Sequence, residues 1–285
     1  MLNLVILKKR LTDIQYRYLK QVRGEQMPVK GSSSKLKKAE ETFIQKYNTK
    51  DYPPFGVAVD LAIFTIRNGA FSLLLIERGN FPDKGKWALP GGFVNIDESA
   101  EDAASRELLE ETGLEIFSGH LEQLKTYSKP NRDPRMRVIS IAHVAFAPNI
   151  PEPVAGDDAA NARWWAVDDL FNEDGPELAF DHNIIIPEAI ERIRSKIEYT
   201  TLATEFLTEP FSIGELHRVY SAIWGDIPHL SNFRRKVLST PDFIEQTVQA
   251  SSAAAGVQGG RPPMLYKKGT AKTLQPAMLR NTEES

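Results

Sequence analysis

Two runs of apolar residues stand close together within the chain's first third, FGVAVDLAIFTIR (55–67) and AFSLLLIER (70–78), around Asn68-Gly69. Their β-branched and aromatic content predicts strands, and Asn-Gly is the strongest short-range signal for a two-residue hairpin turn. HLEQLKTYS, RVISIAHVAFAP and RWWAV predict further strands. Between them the period changes from two to about 3.6. The stretch ESAEDAASRELLEETG predicts a helix: Ser99 caps it, Asp102 completes a Ser-x-x-Asp box, and Gly113 ends it as a left-handed residue. A second amphipathic helix is predicted over IIPEAIERIRSKI. Helices interleaved with mixed strands predict an α/β fold, an α/β/α sandwich over residues 54–200.

The pattern then changes. SIGELHRVYSAIWG and HLSNFRRKVLST read as two helices joined by the turn DIP, and QGGRPPMLYKK as a Gly/Pro turn running into a strand. Helix, turn, helix and a basic hairpin predict a C-terminal winged helix-turn-helix domain over 201–270, with 271–285 as a disordered tail. Upstream, Leu4, Leu7, Leu11, Ile14 and Tyr18 have a heptad-like spacing too short to specify a coiled coil, and PVKGSSSKLKKAEE reads as a polar linker. Residues 1–53 are therefore taken as a basic N-terminal extension and linker.

Charge sharpens this division. The net charge of -3 is uneven: residues 1–50 carry twelve Lys/Arg against four Asp/Glu, residues 51–203 fourteen against twenty-six, and residues 228–280 eight against two. An acidic middle and a basic end predict different partners. The absence of cysteine excludes disulfides and thiolate zinc sites and fits a reducing cytosol. No stretch approaches the ~20 apolar residues that span a bilayer. A cytoplasmic protein with no membrane partner is expected.

The segment RELLEETG places Glu107, Glu110 and Glu111 on one helix face. Two carboxylates about 4 Å apart repel by on the order of 1 kcal/mol in water, and by more where water is excluded. A hard divalent cation reverses the sign of that cost, and oxygen-only ligands suit Mg²⁺ or Mn²⁺. Gly91 and Gly92 allow backbone to approach such a site, and Arg106 can fix a carboxylate such as Glu98. From Gly92 to Leu114 the residues match Gly-x5-Glu-x7-Arg-Glu-U-x-Glu-Glu-x-Gly-U, with U aliphatic, at every position. This resembles the Nudix box. The resemblance implies hydrolysis of a nucleoside diphosphate linked to another group, with Glu107, Glu110 and Glu111 as metal ligands and Glu98 and Arg106 in support. It also places a general base on a loop outside the box, where AGDDAANARWW offers Asp157 or Asp158. Arg78 is the basic residue favoured for phosphate oxygens, ahead of Lys84 and Lys86, with Gly91 and Gly92 beside it. Trp164 and Trp165 occupy successive strand positions and are read as packing residues.

The two halves together, through KGKWALPGGFV, GDDAANARWW, LAFDH, KIEYT and the basic tail, resemble the Nudix-related transcriptional regulators of NAD metabolism, the NrtR family. That likeness implies a homodimer whose Nudix domain senses ADP-ribose or a related nucleotide and whose winged helices hold double-stranded operator DNA. Asn232, Arg234, Arg235 and Lys236 open the second helix, where adenine and guanine edges and phosphates are met. Arg261, Lys267 and Lys268 on the wing add phosphate or minor-groove contacts. A second reading is an Mg²⁺-dependent ADP-ribose pyrophosphatase whose tail only dimerises.

Overall fold

The hairpin turns where Asn68-Gly69 stands: both residues have positive φ, 51° and 81°. They join β1 (Gly56–Arg67) to β2 (Ala70–Arg78), with Arg67 opposite Ala70. This computed structural model describes residues 34–112, 120–153, 159–225, 227, 229–250 and 264–280. The chain divides between Pro53 and Pro54 into two units. In the first, residues taken for a polar linker instead form a helix, α1 (Ser34–Lys46). Lys, Ala and Glu are good helix formers once Gly31 and the serines are passed.

In the second unit the strands are β1, β2, β3 (Trp87–Ala88), β4 (Gly91–Phe93), β5 (His120–Tyr127), β6 (Val138–Phe146) and β7 (Ala159–Ala166). Among the described residues they form one seven-stranded sheet with a spine ordered β3-β2-β1-β6-β5; β4 pairs with β1, and β7 with β2. β1 and β6 run parallel while the other pairs are antiparallel, so the sheet is mixed as expected.

Strand alternation sorts the core into two layers. Leu61, Ile63, Leu74 and Ala145 pack against Ala104 and Leu108 of α2 (Ala100–Thr112). Ala62, Phe64, Leu73, Leu75 and Val144 face the other way, towards Ile185, Ile186, Ala189, Ile190, Ile193 and Ile197 of α3 (His182–Tyr199). The box helix and α3 therefore lie on opposite faces of the sheet.

The C-terminal half comprises β8 (Phe211–Ser212), α4 (Ile213–Trp224), α5 (Leu230–Ser239), β9 (Ile244–Ala250) and β10 (Met264–Lys268). Its three strands form a small sheet ordered β8-β10-β9. Ser212 and Glu215 close a full capping box on α4. This is a winged helix, but its core is not separate. Phe206, Phe211, Tyr220 and Phe233 belong to the same buried cluster as Phe64, Phe71 and Phe146. Phe206 stacks on Phe146 at 4.5 Å and meets Phe71 edge-on at 6.1 Å. Phe206→Ala empties that junction and should lower stability by about 3–5 kcal/mol, measured by urea unfolding; a change within error would mean the junction carries no such load.

Residues 271–280 correct another expectation. Assigned to a disordered tail, they pack as a strap: Leu274 and Met278 are buried, and their N–H groups donate to the Tyr199 and Glu198 carbonyls at 2.8 and 2.6 Å. Two isolated apolar residues among polar ones have no period, so local pattern does not reveal their burial. No described helix is long and apolar enough to cross a membrane.

Candidate functional site

The N-terminus of α2 is built as its sequence requires. Ser99 Oγ accepts from the Asp102 N–H at 3.1 Å, and Asp102 Oδ2 accepts from the Ser99 N–H at 3.1 Å. This sets the helix so that Glu107 faces β4. A Cβ on Gly92 would collide with Glu107 Oε1, and one on Gly91 with the Val59 carbonyl. Glycine is therefore required at both positions by close approach.

Arg106 organises the carboxylates. Its Nη2 donates to Glu98 Oε1 at 2.8 Å and its Nη1 to Glu107 Oε1 at 2.7 Å, with Glu110 at 3.4 Å. The Arg106 fork, helped by the Asn95 N–H, holds the Glu98 carboxyl down at about 2. Burial pushes the Glu107 carboxyl up, against the pull of Arg106. Glu107 is buried and Glu110 exposed, and both line a cleft of about 760 Å³. The oxygen-only donor set at this end of the cleft fits a hard divalent cation, with Glu107 and Glu110 as the described donors and Gly92 making room for the Glu107 carboxylate. Among the described residues no group of three such ligands is assembled, and the Glu111 side chain lies outside them.

The other predicted residues divide. Arg78, Gly91 and Gly92 line the cleft. Lys86 instead pairs with Asp83 at 3.2 Å and Glu177 at 2.9 Å, and Lys84 is exposed on the surface outside the cleft lining. Trp165 packs edge-on against Trp87 at 5.3 Å, and Trp164 donates Nε1–H to the Pro151 carbonyl at 3.2 Å, so both pack and neither lines the cleft. Asp157 and Asp158 lie outside the described residues.

The far wall of the cleft was not anticipated. It is made by Asp60 of β1, Arg132 and Asp133 on the β5–β6 loop, and Phe180 and His182 at the start of α3. Arg132 Nη2 donates to Asp60 Oδ2 at 3.1 Å and to Asp181 Oδ1 at 2.6 Å, and its Nε donates to Asp181 Oδ2 at 3.1 Å. Ser140 donates a short hydrogen bond to Asp60. The Leu89 N–H donates to His182 Nδ1 at 2.9 Å, which leaves the ring hydrogen on Nε2, 3.5 Å from Asp60 Oδ1. Phe180 has φ 52°, the left-handed region, and is held there by donating its N–H to Asp83 Oδ2 at 3.1 Å. Its ring lies 4.7 Å from the Arg78 guanidinium. The one sequence signal pointing to this wall is the lone carboxylate of Asp60 within an apolar run.

Burial alone would raise the Asp60 carboxyl, but His182, Arg132 and Ser140 outweigh it and take it from 3.8 to about 2. A carboxyl whose folded value is depressed adds stability above its unfolded value, and loses it as pH falls through the folded one. Asp60 should thus contribute about 2 kcal/mol above pH ~4 that disappears towards pH ~2. Urea unfolding of Asp60→Asn across that range should show a correspondingly flatter acid limb; an unchanged limb would remove Asp60 from the linkage.

Comparison with known proteins accords with this division. The NUDIX domain family matches residues 54–187. The NrtR DNA-binding winged helix domain matches residues 203–267. The ADPR responsive transcriptional repressor NtrR of Acinetobacter baylyi is 32% identical over 231 residues, 80% of this chain and 88% of its own. This chain belongs to the NrtR family. A crystal structure of Shewanella oneidensis NrtR complexed with a 27mer DNA aligns with it at a TM-score of 0.61 and 29% identity, covering 80% of this chain and 99% of that one. An ADP-ribose pyrophosphatase of Methanocaldococcus jannaschii is 42% identical over 155 residues, 53% of this chain and 85% of its own.

In this NrtR-family chain α5 is anchored by Phe233 and Val237, both buried, while Asn232, Arg234 and Arg235 are exposed and Lys236 is half-buried. Asn232, Arg235 and Lys236 share one flank beside Trp224 and Met278, and Arg234 is not among that flank's residues. Lys267 pairs with Glu245 at 2.9 Å and Lys268 with Glu205. Both wing lysines are thus paired within the protein at its surface, because carboxylates at 245 and 205 come beside them in the fold. Arg261 lies outside the described residues.

Proposed function

We propose that this chain is an ADP-ribose-responsive transcriptional repressor. The cleft takes ADP-ribose or a related nucleoside diphosphate, and α5 of a homodimer reads each half of a palindromic operator. The observation that carries this reading is the likeness to the Acinetobacter baylyi repressor, which runs through both the Nudix half and the winged helix. The arrangement supports it: the glycine-lined cleft at Glu107 suits a pyrophosphate with its cation, and the exposed Arg234 and Arg235 suit base edges. We assign DNA binding to residues 201–270 and nucleotide binding to residues 54–200. A gel-shift titration on the duplex upstream of its regulated genes should show specific binding that ADP-ribose weakens by about 5–150-fold. No preference over random duplex would defeat the proposal.

A second activity has its own support, the complete Nudix box and the likeness to an ADP-ribose pyrophosphatase. Hydrolysis would give AMP and ribose 5-phosphate, with water supplying the new oxygen and hydrogens. Mg²⁺ or Mn²⁺, when bound, supplies Lewis acidity to the pyrophosphate. Glu107 and Glu110, with Glu111, would hold it; Arg106 and Glu98 keep Glu107 in place, and Arg78 meets phosphate oxygen.

A further inference from the structure

α3 is 18 residues long, which at 1.5 Å per residue makes it a rod of about 27 Å. Its two ends do different work. At the first turn, Phe180 and His182 line the cleft, and Asp181 at the N-cap takes two hydrogen bonds from Arg132. At the last turns, Arg194 Nε donates to the Ile223 carbonyl at 2.9 Å, and Trp224 Nε1 donates to the Arg194 carbonyl at 3.0 Å. The Tyr220 hydroxyl donates to the Ile197 carbonyl at 2.9 Å. The strap fastens the same end, through Leu274, Met278 and Arg280, whose Nε lies 3.0 Å from Glu198 Oε1. Tyr220 in turn meets Phe233 of α5 at 5.3 Å. One helix thus touches the cleft at its start and holds the α4–α5 pair at its finish.

Arg132 stands where the cleft meets this rod. Its side chain is only 5% exposed, yet it lines the cleft. Nε and Nη2 are committed to Asp181 and Asp60, and Nη1 has no hydrogen-bond partner among the described residues. Among the described residues the buried polar side-chain atoms left without a partner are Arg137 Nη1, His143 Nε2 and Trp165 Nε1, so Nη1 of Arg132 opens to the cleft and can donate a charge-assisted hydrogen bond to an incoming acceptor oxygen. A nucleoside diphosphate sugar offers such oxygens on its phosphates and on its ribose.

We propose that Arg132 contacts the bound nucleotide through Nη1 and that its hold on Asp181 passes occupancy of the cleft along α3 to the winged helix. This rests on the nucleotide-responsive reading above. When Nη1 turns to the ligand, the Nε and Nη2 bonds to Asp181 must adjust with it, because the guanidinium is planar and its donors move together. The N-cap of α3 then moves, and the far end carries α4 with it. Packed interfaces of this kind switch between arrangements rather than bending.

The test uses full-length protein, calorimetry with ADP-ribose and with ADP, and operator gel shifts with and without saturating ADP-ribose. Arg132→Ala should weaken ADP-ribose at least about tenfold while ligand-free operator affinity stays within about threefold, a check that it folds. Loss with ADP-ribose but not ADP assigns the contact to the second ribose; loss with both assigns it to phosphate. Unchanged affinity for both overturns the contact. Asp181→Ala forfeits no N-cap hydrogen bond, and at saturating ADP-ribose the ligand's effect on operator affinity should fall at least about threefold. An unchanged effect overturns the link. Arg194→Lys, at the opposite end of the rod, should reduce the effect in the same direction and serves if Asp181→Ala does not fold. Failure of the wild-type protein to bind ADP-ribose would instead count against the function proposed above.

Discussion

Gly92→Ala is expected to abolish metal-dependent nucleotide chemistry in the cleft while leaving ligand-free operator binding intact. The added methyl collides with Glu107 Oε1, and Glu107 cannot retreat, because its carboxylate is buried and held by Arg106 at 2.7 Å. Either the glutamate leaves its place or β4 moves away from β1, where Gly92 is paired with Val59. A displacement of about 1 Å in a positioned group costs about 100-fold in rate. Mg²⁺-dependent cleavage of ADP-ribose should therefore fall by about that factor or more. DNA binding should be spared because α2 packs on the sheet face opposite the one that carries α3 and the winged helix. If the variant cleaves ADP-ribose normally, Glu107 has no role in the chemistry. If it loses operator binding as well, the two sheet faces are not independent.

The second large effect concerns α5. Replacing Arg234 and Arg235 together by alanine should lower specific operator affinity by about 100-fold or more, since each arginine that reads a guanine edge contributes about 1–3 kcal/mol. Stability should hardly change, because both side chains are exposed and the helix is seated by Phe233 and Val237. Two measurements separate the roles. An arginine that only neutralises phosphate should weaken random duplex equally and reduce the salt slope by about one. An arginine that reads bases should leave random duplex nearly unaffected. Because Arg234 is absent from the flank formed by Asn232, Arg235 and Lys236, the single variants need not share one behaviour.

Local chemistry made one half of the site legible. The Ser99–Asp102 box and the paired glycines are properties of neighbours in sequence, and the structure realises both. The hairpin at Asn68-Gly69 and the two helices of the winged part are of the same kind. The opposite wall was not legible. Arg132 acquires meaning only when β1 and the start of α3 bring Asp60 and Asp181 to it, and nothing within its own loop, NRDPRMR, signals that convergence. The strap was misread for the same reason: Leu274 and Met278 are placed by partners distant in sequence. α1 is a milder case, in which helix propensity outweighed the look of a spacer.

The clustered phenylalanines at 71, 146 and 206 also bear on how such proteins can be recombined. A sensor and a reader that met through a flexible tether could be exchanged by cutting the tether. Here a cut near residue 200 would leave apolar rings bare on both fragments, so a chimera with a foreign reader must inherit a matching aromatic seat as well. Diversification in this lineage is then easier at the rim of the cleft and on the outer side of α5 than at the seam, which both halves must keep in common.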